Sequence, residues 1–212
     1  MWTGLSTTTS LYIVDRPVYN HFMQAIKTPI SQIPSARERI LLTAYELFYR
    51  EGIRATGIDR VIAESGVAKV TFYRHFPSKN ILICEFLEYR HLRWMAWFID
   101  ALQRHGGGIK ALSPALAEWF TDQSFRGCAF INSVGELGTI LPEVIEIARR
   151  HKDEMTDVIA NLLPTSRHRK QDAQALALAI DGAIIRAQYD KTPDAALLAL
   201  EVIQKSLLAI KK

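Results

Sequence analysis

The chain has 212 residues, of which 49% are hydrophobic and 23% charged, with a formal net charge of +4. That balance is ordinary for a soluble globular protein and long enough to bury a sizeable core. No apolar run reaches the roughly 18 residues of a membrane span. No cationic start leads into a long apolar stretch, and Cys84 and Cys128 stand far apart outside any C-x-x-C. Neither a membrane protein, a disulfide framework nor a zinc site is therefore indicated. The expectation is a cytoplasmic protein without cofactor or metal.

Residues 1–34 are rich in Ser and Thr, contain Pro17, Pro29 and Pro34, and show no sustained period; they read as a flexible arm. From residue 35 onward the apolar period is three to four and no run alternates with period two, so the fold class is all-α. A first helix is expected over about 36–51, with Ile40, Ala44, Leu47 and Phe48 on one face and Gly52 as its stop. Thr56-x-x-Asp59 resembles a capping box for a second helix that ends at Ser65-Gly66. A third, short helix over about 69–75 precedes Pro77. Ser78 then caps a long helix to about Arg104, closed by three glycines. Further helices are expected at roughly 109–124, 128–138, 142–162, 168–190 and 194–210.

The second and third helices, joined by a tight Gly-containing turn, form a helix-turn-helix unit. In such a unit the second helix enters the major groove. Phe72 and Phe76, four apart, point to the core. Lys69, Val70, Thr71, Tyr73 and His75 are then turned outward, a set able to meet phosphates and base edges. Charge agrees: residues 34–80 carry eight Lys/Arg against five Asp/Glu, whereas residues 81–212 balance.

The stretch from Gly52 through Gly66-Val67, Thr71-Phe72-Tyr73, Phe76 and Lys79 closely resembles the DNA-binding domain of TetR-family regulators, and the likeness extends upstream through Arg39 to Phe48. It departs at Ala68, where the family often has a capping Ser, and at Val70, where it often has a small residue. The resemblance implies an N-terminal three-helix DNA-binding domain over residues 35–80. A larger helical domain over 81–212 would bind an effector and dimerise. It implies DNA contacts from Thr56, Lys69, Val70, Thr71, Tyr73, Arg74, His75 and Lys79, the last sharing a phosphate with the start of the long helix. The implied function is a dimeric regulator, by the family's habit a repressor. It would bind a pseudo-palindromic operator and be released by a small molecule.

In the penultimate helix Leu176, Ile180, Ala183 and Ala187 form a small apolar seam, and in the last helix Leu200, Ile203 and Leu207 do likewise. Both suit a four-helix interface between protomers of a homodimer. Aromatic and polar side chains of the middle helices are candidates for an effector cavity: Tyr89, Arg93, Trp94 and Trp97, then Trp119, Phe125 and Phe130. Asn132 and Glu136 share a face of a glycine-rich segment that could couple the cavity to the DNA-reading helices. His151, Glu154 and His168 lack metal-ligand spacing, and Cys128 reads as a buried thiol. No nucleophile elbow, phosphate loop or acid/base pair indicates an enzyme. A helical adaptor would leave the outward set from Lys69 to Lys79 without a role.

Overall fold

The computed structural model describes residues 34–209. The arm proposed for residues 1–34 lies outside the described residues except for Pro34, as does Ile210. Every regular element among the described residues is helical: α1 (Ala36–Glu51), α2 (Ile58–Ser65), α3 (Lys69–His75), α4 (Lys79–Arg104), α5 (Leu112–Phe120), α6 (Ala129–Leu137), α7 (Pro142–Leu162), α8 (Arg169–Tyr189) and α9 (Asp194–Ala209). A 3-10 turn, Ile109–Ala111, leads into α5. The element expected at 109–124 is thus shorter, ending in turns after Phe120.

The start of α1 is set by a reciprocal cap. Ser35 Oγ accepts from the Glu38 N–H at 3.3 Å, and Glu38 Oε2 accepts from the Ser35 N–H at 2.8 Å. The capping box expected at Thr56-x-x-Asp59 does not form. The N-cap of α2 is Gly57, which has no side chain to offer. Thr56 is fully buried, and its hydroxyl donates to the Gly52 carbonyl at 2.8 Å. At the other end of α2 Gly66 takes φ +65, a left-handed residue that lets the chain turn sharply into α3.

α1 packs on α2, α3 and α4 through Ile40, Ala44, Leu47 and Phe48, the face its sequence predicts. Phe48 meets Phe86 of α4 edge-on at 5.4 Å between ring centroids. α4 is long enough, about 39 Å at 1.5 Å per residue, to reach from these short helices to α5, α6 and α7. α8 is clasped between α7 and α9, and α9 also touches α5. Lys152 of α7 is tied to Asp181 of α8 at 2.5 Å. At the far end of α4, Arg104 grips Glu118 of α5 through two hydrogen bonds, which pull the Glu118 carboxyl down to about 2.

Candidate nucleic-acid interface and the cavities behind it

Two buried rings orient α3. Phe72 and Phe76 are both fully buried, their centroids 6.2 Å apart. At roughly 1.5–3 kcal/mol for each large apolar side chain, they pin one side of a seven-residue helix too short to persist alone. The opposite side faces solvent. Val70 is 67% exposed and Tyr73 41%, unusual for such residues in a folded core. Lys69 and Arg74 are exposed, and Thr71 and His75 half-buried. Tyr73 stands edge-on to Phe72 at 5.3 Å. Lys69 is held by Asp59 of α2 at 3.1 Å, and that ion pair raises its pKa.

α2 is braced from α1. Arg39 Nε donates to the Ser65 carbonyl at 3.2 Å, and Arg60 is paired to Glu51 and to Glu64. Arg37 lies 5.3 Å from the centroid of the Phe76 ring and pairs with Glu85 at 2.9 Å.

Two expected DNA contacts are placed differently. Thr56 has no exposed surface, so it supports the loop and cannot meet a phosphate. Lys79 is turned inward: its ammonium donates to the Ile53 carbonyl at 2.7 Å. Partial burial lowers its pKa, with Glu136 pulling the other way. The remaining six residues share the α3 surface.

Behind this surface the structure divides the expected effector residues into three groups. A cleft of about 200 Å³ opens between α1 and α6, with Phe48, Tyr49 and Ile53 on one side and Ala129, Asn132 and Glu136 on the other. Two of its polar residues act as ties. Glu136 Oε2 accepts from the Arg54 N–H at 2.8 Å, and Asn132 Nδ2 donates to the Arg126 carbonyl at 3.0 Å. A smaller, aromatic cavity of about 10 Å³ lies deeper, with Trp94, Trp119 and Phe130 on its wall beside Arg90, Cys128 and His151. Tyr89, Arg93, Trp97 and Phe125 line neither. Arg93 instead extends over the Tyr89 and Tyr45 rings at 5.7 and 5.3 Å, and Trp97 donates to Glu118 at 3.3 Å.

Arg90 was not expected here. Its signal is legible: it falls on the buried stripe of α4 that runs Ile83, Leu87, Arg90, Trp94 and Phe98. It is 8% exposed, donates to the Tyr45 hydroxyl at 2.6 Å and stacks on the Tyr49 ring at 3.8 Å. Tyr49 in turn clamps the segment before α6: its hydroxyl accepts from the Arg126 N–H and donates to the Gly127 carbonyl, each at 3.0 Å.

The seam expected between protomers is largely used within the subunit. Leu176, Ile180, Ala183 and Leu200 are buried against neighbouring helices, because α8 is packed on both sides by α7 and α9. Ala187 and Leu207 are half-buried, and Ile203 remains 41% exposed. Apart from Ile203, the outward apolar surface lies off the expected seam. On α8 it comprises Leu178, Ile185 and Tyr189 around Gly182, and on α9 Leu198, Val202 and Ile203.

Residues 40–85 match the family model described as bacterial regulatory proteins, tetR family. The match runs from within α1 through α2 and α3 to the start of α4, less than a quarter of the chain. Among curated relatives in Bacillus subtilis, the chain is 42% identical to the uncharacterised HTH-type transcriptional regulator YerO over 53 residues, 25% of this chain and 18% of that protein. It is 44% identical to the HTH-type transcriptional regulator LmrA over 43 residues, 20% of this chain and 23% of that protein. These matches span less than a third of either relative. The fold carries the likeness further. The crystal structure of SCO4454, a TetR-family transcriptional regulator from Streptomyces coelicolor, aligns with a TM-score of 0.70 at 27% identity, covering 81% of this chain and 95% of that one. The reduced form of NemR from E. coli aligns at 0.69 with 20% identity over 81% of this chain and 96% of that one, a likeness of fold.

Proposed function

We propose that the chain is a sequence-specific DNA-binding transcriptional regulator. It acts as a dimer on a pseudo-palindromic operator, as a repressor that a small-molecule effector releases. The observation that carries the reading is the α3 surface. Lys69, Val70, Thr71, Tyr73, Arg74 and His75 sit on a helix anchored from beneath by two buried phenylalanines. Cations and a phenol suit phosphates and base edges, and an exposed Val70 suits a thymine methyl. Residues 35–80 act as the DNA-reading head and residues 81–212 as the effector-binding and dimerising body.

The second copy is held by the exposed stripes of α8 and α9. Leu178, Ile185 and Tyr189 flank Gly182, whose missing side chain allows close approach of a partner helix. A two-fold protein then presents two α3 helices to successive major grooves, about 34 Å apart.

A gel-shift assay on DNA from upstream of the chain's own gene tests this. The wild type should shift the fragment. A Lys69→Ala/Tyr73→Ala double variant should lose the shift while remaining a folded dimer by circular dichroism and light scattering. Equal binding by both proteins would refute the assignment of α3.

A further inference from the structure

Arg90 is a nearly buried charge without an ion-pair partner among the described residues. A guanidinium carries five N–H donors and a charge it cannot shed, and this one is 8% exposed. Among the described residues it has no carboxylate within ion-pair distance. The acidic residues around it are engaged elsewhere. Glu88 pairs with Arg150, Asp181 with Lys152, and Glu154 with His91, while Asp122 accepts from Ser124. Its neighbours are the Tyr45 hydroxyl and the Tyr49 ring, and beyond ion-pair distance it helps to lower the pKa of the Asp122 carboxyl.

One turn further along α4, Trp94 is 7% exposed and its Nε1–H has no acceptor. Both side chains border the aromatic cavity. An indole N–H and a guanidinium can only donate. Lys152 and His151 add no acidic group to the wall, and Lys152, Arg90 and Arg150 together help hold His151 neutral. The cavity therefore combines aromatic walls, a buried guanidinium and a buried indole N–H that lacks an acceptor. A carboxylate has acceptors only, and an arginine reads it with two parallel bonds.

We propose that the effector is an organic anion whose carboxylate binds the Arg90 guanidinium and the Trp94 indole N–H, with its apolar part among Trp119 and Phe130. This rests on the reading of the chain as an effector-controlled regulator. At about 10 Å³ the cavity admits one water-sized group, so an organic anion enters by displacing the aromatic wall. It also competes for Arg90 with Tyr45 and Tyr49, both on α1. Because Tyr49 clamps Arg126 and Gly127 as well, that competition reaches the DNA-reading head through one helix. An effector has leverage over the head only through such a difference in contacts between states.

The experiment titrates the full chain with benzoate and 1-naphthoate and with the neutral amides of both, following tryptophan fluorescence and calorimetric heat without DNA. The carboxylates should bind saturably, about tenfold or more tighter than their amides, the scale of one charge-assisted hydrogen bond. Trp94→Phe keeps a ring and loses the donor; it should weaken the carboxylates about tenfold and leave the amides unchanged. Arg90→Gln should abolish the preference for carboxylates, and Arg90→Lys should keep part of it. Circular dichroism of each variant reports folding. Amides that bind as well as acids, carboxylates that do not saturate, or a Trp94→Phe protein with wild-type carboxylate affinity would each overturn the proposal. Gel shifts with and without ligand separate the two readings. Operator binding released only by neutral compounds overturns the anion and leaves the regulator. Carboxylate binding by a protein that shifts no DNA overturns the regulator and leaves the anion site.

Discussion

Acidification should destabilise the chain chiefly through one buried pair, His91 of α4 and His151 of α7. Their Nδ1 atoms lie 3.1 Å apart, a hydrogen bond that holds one proton between two rings. His151 is 2% exposed and stacks on Phe130 with ring centroids 3.7 Å apart. Burial pushes both imidazoles below the usual histidine value, His151 far below it, where Lys152, His91, Arg90 and Arg150 act in the same direction. For His91, Glu154 at 3.2 Å and Glu88 oppose the shift, while Arg150 reinforces it.

A histidine depressed in the folded state binds fewer protons than in the unfolded chain once the pH falls below about 6.5. Its contribution is therefore intact above that pH and is lost as the pH falls toward the folded value. The slope is at most about 1.4 kcal/mol per pH unit for each ring kept neutral, so about 2.7 for the pair. Two pH units would remove several kcal/mol from a stability of roughly 5–15 kcal/mol. Urea unfolding at fixed protein concentration, from pH about 7 to about 5, measures it. The His151→Gln variant should show a shallower decline. A wild-type stability that is flat over this range, or an identical decline in the variant, would refute the reasoning.

Leu178→Asp sets a carboxylate in the most exposed apolar position of α8, 75% open in the single chain. Light scattering should find a monomer with unchanged helicity, and an intact dimer would remove α8 from the interface. Gly127 has φ +80, and a Cβ there would lie 2.0 Å from Gln188 Cδ. Gly127→Ala should cost about 1–3 kcal/mol; adding Gln188→Ala should recover only the part due to the clash, read from the two melting curves. Phe72→Ala removes a fully buried ring beneath α3. It should cost about 3–5 kcal/mol in urea unfolding and abolish operator binding.

Much of the helix-turn-helix was legible because its determinants are local. A Gly stop, a left-handed Gly66, Ser78 and two phenylalanines four apart specify where helices end and which side of α3 is buried. One error has a local cause and one a distant cause. Ser35-x-x-Glu38 and Thr56-x-x-Asp59 are similar as strings, yet only the first lies next to a free helix start. Thr56 finds the Gly52 carbonyl four residues back and leaves Gly57 as the cap. Lys79 looked like a phosphate ligand until the Ile53 carbonyl, 26 residues away in sequence, came within 2.7 Å.

Period by itself determined that the described residues are helical and which residues of each helix are apolar on one side. It could not say what that side meets. α8 carries apolar residues on two stripes; the tertiary structure commits Leu176 and Ile180 to α7 and α9 and leaves Leu178 and Ile185 outward. The same holds on α4, where Arg90 and His91 interrupt an apolar stripe for reasons visible only when α1 and α7 are packed beside them. Helical period is a property of neighbours along the chain. Partner choice depends on groups far apart in sequence, and it decided which helix faces are buried and where the cavity and its buried guanidinium lie.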